Sequence, residues 1–141
     1  MKKLLLLLLI APVLGFSQQL PDLSSEKAIR SHFDKSSEFI EGIWEYKSRD
    51  VGSYRLAIFK DEFFYKAYVI EESGEFKVGD LKATFERLDG NEIVTKWIMG
   101  DKKTKNTSEG EVWDDLRTIN IDKGILTPMS DVLLIKTYPK K

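Results

Sequence analysis

The chain carries one histidine and no cysteine among its 141 residues, and that inventory bounds its chemistry before any fold is considered. Thiol catalysis, cysteine metal sites, disulfides and thiol redox steps are all excluded. His32 stands between Ser31 and Phe33 in a helix-patterned stretch, and no G-x-S-x-G-like elbow offers it a positioned serine. A lone imidazole also falls short of a zinc set, which draws on several His or Cys ligands. Three pairs of adjacent carboxylates remain, Asp61-Glu62, Glu71-Glu72 and Asp114-Asp115. Neighbours on an extended chain point to opposite faces, so a sequential pair does not share a proton as a catalytic dyad does. The stretch "GDKKTKNTS" presents Lys102, Lys103 and Lys105 where a calcium loop needs alternating oxygen ligands. No glycine-rich phosphate cradle is present. The expectation is a chain without catalysis, metal or cofactor.

The aromatic residues carry the remaining functional signal: three tryptophans, five tyrosines and eight phenylalanines. Rings at alternating strand positions line an apolar pocket, and tyrosine hydroxyls can orient what it holds. Trp44, Tyr46, Tyr54, Tyr68 and Trp97 are the candidate ligand-binding residues. The same rings would equally fill the core of a small barrel, and both readings stay open. The two functional classes are a binding module for a small apolar ligand and an interaction or structural module for an exported protein partner. The second calls for an exposed apolar patch, with Phe59, Phe63 and Trp113 as its candidates.

The N-terminus bears on where these residues act. Lys2 and Lys3 precede an apolar run from Leu4 to Phe16, and Gly15 and Ser17 sit at the spacing a signal peptidase accepts. That run is shorter than the roughly 20 residues needed to cross a bilayer core. Residues 1–17 are therefore expected to be a cleaved signal, leaving a soluble, exported product in the periplasm or outside the cell, with no stable membrane insertion. Losing Lys2 and Lys3 takes the formal charge from −1 to −3. So small a net charge argues against nucleic acid, which wants a concentrated basic face.

Two regimes follow the leader. Residues 18–41 are polar and helix-patterned, with Ile29, Phe33, Ser36 and Ile40 at helical offsets. This predicts a helix over 25–38, capped by Ser24 or Ser25 and stapled by Leu23, lying against or plugging the end of the β structure. Residues 42–141 form the β domain. Turn signals recur at Asp50-Val51-Gly52, Lys60-Asp61-Glu62, Ser73-Gly74, Asp89-Gly90, Gly100 to Asn106, Asp114-Asp115 and Asp122-Lys123-Gly124. They separate eight strands, and no helical pattern intervenes to permit parallel crossovers. Tyr54, Leu56 and Ile58 share one face, as do Ile93, Thr95, Trp97 and Met99. Apolar parity changes between Val78 and Leu81, which predicts a bulge at Gly79-Asp80, and Pro128 breaks the last segment. The expected fold is mainly β, an eight-stranded antiparallel up-and-down barrel after one short helix, with a two-sheet sandwich as the alternative.

"FIEGIWEY", with Gly42-Ile43-Trp44 opening the first strand after a short helix, resembles the start of lipocalins and their calycin relatives. The resemblance implies that Trp44 plugs the closed end of the barrel beneath a basic side chain from a late strand, Arg117 or Lys136. The chain lacks that family's T-D-Y-like turn in mid-barrel and its helix after the barrel, so the likeness concerns shape. The stretches "EGIWEY", "YRLAIFKD", "FKVGDLKATFE" and "IKTYP" are also similar to small β domains in exported proteins of Bacteroidetes-type bacteria. Some of those stand beside secreted trypsin-like peptidases. This second resemblance implies export and a β fold, and no activity.

Overall fold

The computed structural model describes residues 19–48, 52–124 and 132–140. The leader, the centre of the first expected turn and the break at Pro128 lie outside them. Alternating apolar and polar residues between turns produce eight strands: β1 (Gly42–Ser48), β2 (Gly52–Asp61), β3 (Phe64–Val69), β4 (Leu81–Arg87), β5 (Glu92–Ile98), β6 (Lys105–Val112), β7 (Thr118–Gly124) and β8 (Val132–Tyr138). Each pairs antiparallel with its neighbour in sequence, and β8 returns to pair with β1, closing the barrel. Closure overturns the two-sheet alternative, because no strand is left with an unpaired edge.

Inside the barrel, Tyr54, Leu56 and Ile58 of β2 and Ile93, Thr95 and Trp97 of β5 are buried on the faces that alternation predicted. Met99 departs from that pattern, since β5 ends at Ile98 and Met99 is exposed in the turn beyond it. The stop expected at Asp122-Lys123-Gly124 is a strand instead. Ser108 pairs with Gly124 and Gly110 with Ile121, so two residues of β7 oppose the single Glu109 and the strand continues through a bulge. A side chain at Gly110 would meet the Asn120 carbonyl at 2.5 Å, and the close backbone approach there requires glycine. Gly79-Asp80 is a tight turn rather than a bulge. Gly79 adopts φ +94°, and Asp80 closes the turn by accepting from the Lys77 N–H at 2.8 Å. The irregularity in β4 falls two residues later, at Lys82, because Tyr68 pairs with Leu81 and Ala67 with Ala83.

The helix α1 (Glu26–Lys35) begins at Ser25, whose Oγ accepts the Ala28 N–H at 3.2 Å. It ends earlier than expected because Ser36 is extended and Phe39 takes a positive φ, which turns the chain across the end of the barrel. Ile40 therefore leaves the helical stripe and joins the barrel interior. The helix docks on the outside of the wall, with Ile29 and Phe33 packed against Ile43, Ala57 and Phe59 and with Leu23 alongside. The Phe33 and Phe59 rings stack at 4.9 Å, and His32 lies edge-on to Phe59 at 5.2 Å. The histidine is thus a partly packed helix residue. Glu26 ties the first turn to β2 through Arg55, at 3.1 Å, and also bonds Arg30.

The lower end of the barrel is closed by residues 39 to 44. Gly42 adopts φ +147°, and a Cβ there would collide with the Tyr138 carbonyl. Trp44 is fully buried, and its indole N–H donates to the Ile40 carbonyl at 2.8 Å. Of the two proposed covers it is Lys136 that lies over the Trp44 ring, 5.2 Å from its centre, while its ammonium bonds the Phe39 carbonyl. Arg117 reaches the Lys140 carbonyl instead.

Trp44→Ala should lower unfolding stability by about 3–5 kcal/mol in urea melts, as truncation of a large buried ring does; a loss under about 1 kcal/mol would mean the plug is not structural. Glu26 gives a smaller, pH-dependent effect. Its hydrogen bond to Arg55, and then that to Arg30, holds the carboxyl down at about 2 from an ordinary 4.5. The stabilisation is full above 4.5 and vanishes as pH falls toward 2. Because the pair is well exposed to solvent, Glu26→Gln should cost about 1 kcal/mol or less at pH 7 and nothing near pH 2, read from melts at both pH values.

Candidate ligand-binding site

Four of the five candidate aromatics point into the barrel and one does not. Trp44 belongs to the lower plug, whereas Tyr46, Tyr54 and Trp97 cluster toward the opposite, upper end. Tyr46 lies 5.7 Å from Tyr54 and 5.5 Å from Trp97, centre to centre. Tyr68 faces outward, beside Phe59 and the helix-covered cluster. Its inward assignment is corrected by strand parity: Tyr68 follows the inward Ala67 and precedes the inward Val69. Phe59 likewise is no surface residue, since α1 covers it.

A fourth ring completes the upper cluster from a loop. Residues 70–80 cross the barrel end between β3 and β4, and Phe76 of that loop is tucked into the core. Its ring meets Tyr54 edge-on at 5.9 Å. Paired backbone bonds between Ser73 and Phe76 hold the loop, as does the Ser73 hydroxyl donating to the Ser53 carbonyl at 3.0 Å. An ion pair between Lys102 and Asp80, at 3.1 Å, fastens it to the β5–β6 turn.

Beneath Phe76 lies Lys82, the extra residue in β4. Alternation from Ala83 and Phe85 would send Lys82 outward; the bulge turns it in, and the residue is only 7 % exposed. Its ammonium sits 4.0 Å from the centre of Phe76, 5.0 Å from Tyr54 and 5.5 Å from Trp97. One N–H donates to the Ile98 carbonyl at 2.6 Å. Burial pushes this ammonium down to about 8 from 10.5, with no charged neighbour contributing to the shift. The three ring faces favour the protonated form and partly offset the desolvation.

Next to Lys82 the inner wall turns polar. Trp97 pairs with Asn106 and Thr95 with Ser108 across β5 and β6. All four are buried, yet the Trp97 Nε1, both amide atoms of Asn106 and the hydroxyls of Thr95 and Ser108 have no hydrogen-bond partner among the described residues. Buried polar groups are nearly always satisfied, and each one left alone costs about 1–3 kcal/mol. Five such atoms on one patch of wall, beside a buried ammonium, set it apart from the apolar remainder of the interior.

At the upper end a cleft of about 240 Å³ is lined by Tyr46, Tyr54, Glu45, Ser53, Arg55, Glu71 and Glu72. Tyr46 and Tyr54, which are themselves buried, link this cleft to the interior cluster. A larger cleft of about 560 Å³ lies at the lower end, between α1 and the end of β8. Among the described residues no group of three His, Asp or Glu side chains is placed to hold a metal ion. Of the carboxylate pairs, Asp61 is engaged by Lys66 at 2.6 Å.

Sequence reasoning missed Lys82, Asn106, Ser108 and Phe76. Asn106 and Ser108 were masked by the turn assigned through Asn106, although counting back by twos from Val112 finds both on its face. Lys82 was hidden because a bulge reverses parity locally. The prediction here follows from its desolvation. Between about pH 8 and 10.5 the unfolded chain binds a proton at this lysine that the folded chain does not, so Lys82 makes stability rise with pH across that window. Lys82→Met should raise the urea midpoint at pH 7 and flatten the rise between pH 7 and pH 10 relative to the parent.

Comparison with known protein families, curated proteins and solved structures finds no match to this chain; the likeness to exported bacterial β domains thus gains no support, and the shape alone connects the chain to lipocalin-like barrels.

Proposed function

We propose that this chain is an exported, non-catalytic, lipocalin-like barrel that holds a small, mainly apolar ligand at its upper end, beneath the 70–80 loop. The observation that carries the reading is a continuous path of rings. It starts at the cleft with Tyr46 and Tyr54, passes to Phe76 and Trp97, and ends on polar wall atoms without partners among the described residues. Rings supply apolar contact area and a few polar atoms orient the guest, which is the usual composition of a small-molecule site. Phe76 occupies the top of that space. Opening that space requires the loop to release the paired Ser73–Phe76 backbone bonds, the Ser73 hydroxyl bond and the Lys102–Asp80 ion pair, and to lift the buried Phe76 ring from the core. Export rests on the apolar leader, and the absence of catalysis rests on the sparse inventory of nucleophiles and imidazoles.

A second reading has its own observation. The turns at the lower end expose Phe63, Leu88 and Trp113, with Phe63 at 84 %, and exposed apolar surface of this kind serves protein contact. Native mass spectrometry of protein recovered from its own export compartment separates the two. The ligand reading expects a chain starting near Gln18 with a small-molecule adduct that is lost on activation. A bare chain, and no thermal stabilisation by any member of a panel of apolar small molecules, would overturn it. In that event Phe63→Glu and Trp113→Glu should abolish co-purification of a protein partner.

A further inference from the structure

Among the described residues, the buried ammonium of Lys82 faces no carboxylate. Ion pairs among the described residues lie on the surface and involve other cations, and burial alone sets the Lys82 titration. An ammonium taken from water without a counter-charge is unfavourable by several kcal/mol, and three ring faces with one carbonyl recover only part of that. Lys82 still has N–H donors beyond the one given to Ile98. Against its aromatic neighbour Trp97 the wall adds more donors without partners: the indole N–H, the amide of Asn106 opposite it, and the hydroxyls of Thr95 and Ser108 one pair further along. The indole and the ammonium are donor-only groups. A set dominated by donors and carrying one positive charge is complementary to an oxyanion, and its planar ring surroundings suit an aryl or alkyl body.

We propose that Lys82, Trp97, Asn106 and Ser108 form an anion subsite that receives the carboxylate of a small arylalkyl monocarboxylic acid, whose apolar body lies against Tyr46 and Phe76. This rests on the ligand reading above and names the chemical class of its guest. The carboxylate would accept from the Lys82 ammonium and from the Trp97 indole, the Asn106 amide N–H and the Ser108 hydroxyl, giving these donors and the unmatched charge a partner. The ion pair forms out of water, where charge-assisted bonds are strongest. Phe76 must swing away to admit the guest and then closes over it. The Lys102–Asp80 contact at the adjacent turn is the latch that such a movement would release.

The test uses the mature chain and a matched pair of probes, 4-phenylbutyrate and 4-phenylbutan-1-ol, titrated by calorimetry at pH 7. The acid should bind at least about tenfold more tightly than the alcohol, a difference of roughly 1.4 kcal/mol. Lys82→Met should remove that preference while leaving alcohol binding in place, and Lys82→Arg should retain it. Asn106→Leu, which keeps the charge, should weaken the acid several-fold and spare the alcohol. Equal binding of acid and alcohol by the parent chain would overturn the anion subsite and leave the apolar-ligand reading standing. Failure of both probes to bind would overturn both. Circular dichroism of each variant confirms a folded barrel, and Lys82→Arg keeps the result decisive should Lys82→Met fail to fold.

Discussion

Everything in this molecule depends on the seat of β1 against β8. Gly42 lets the two backbones approach where any side chain would collide with the Tyr138 carbonyl, and Trp44 fills the space below. Without that approach, β1 and β8 would each present a row of unpaired backbone groups to solvent, and the barrel would have no inside. The chain reaches the seat by turning at Phe39, whose carbonyl receives Lys136 while its ring lies under Arg87 at 3.8 Å. Helix, crossing segment and last strand thus converge on one end, tied by contacts of large sequence separation. Such contacts form late and cooperatively, so the closed end should behave as part of the global folding unit.

The two ends are built on opposite terms. Below, the polar atoms that matter are satisfied: the Trp44 indole by Ile40, the Lys136 ammonium by Phe39, the buried Glu41 carboxylate by the backbone N–H groups of Glu38 and Lys60. Above, a lysine is drawn inside by a bulge and the neighbouring wall keeps donors and acceptors unmatched. A protein selected for stability alone would replace these with apolar side chains at little loss, because a half-satisfied polar network is worse than none. Concentrating local disagreement at one end of an otherwise consistent fold is what a functional site looks like in energetic terms. The lower end makes the barrel; the upper end is where it departs from being only a barrel.

Much of this was legible residue by residue. The strand faces of β2 and β5, the capping serine, the buried Ile29 and Phe33, and the role of Trp44 all follow from period, spacing and one short motif. Three of the misplacements share a physical cause. Lys82, Gly79 and the 122–124 segment sit at or next to a place where one extra residue shifts the pairing, while Tyr68 lies on a strand apolar on both faces, where its own parity decides. A period-two argument carries no information across such a shift, since a single insertion inverts every later side chain. Met99 and Asn106 were misassigned for a different reason. The polar stretch between them contains both a turn and the first residues of β6, and polarity alone does not separate a solvated tip from a strand that faces a polar interior.

The amino-acid sequence by itself determined the element types, the antiparallel order and, having no cysteine, the exclusion of thiol chemistry. Those follow from composition and from local backbone preference, which each segment carries independently of the rest. Only the tertiary structure decided that β1 meets β8, that α1 covers the outer wall instead of the barrel mouth, and that Lys82 lies among Tyr54, Phe76 and Trp97. These are outcomes of register and closure, fixed when eight strands fit together at once, and no single segment contains them.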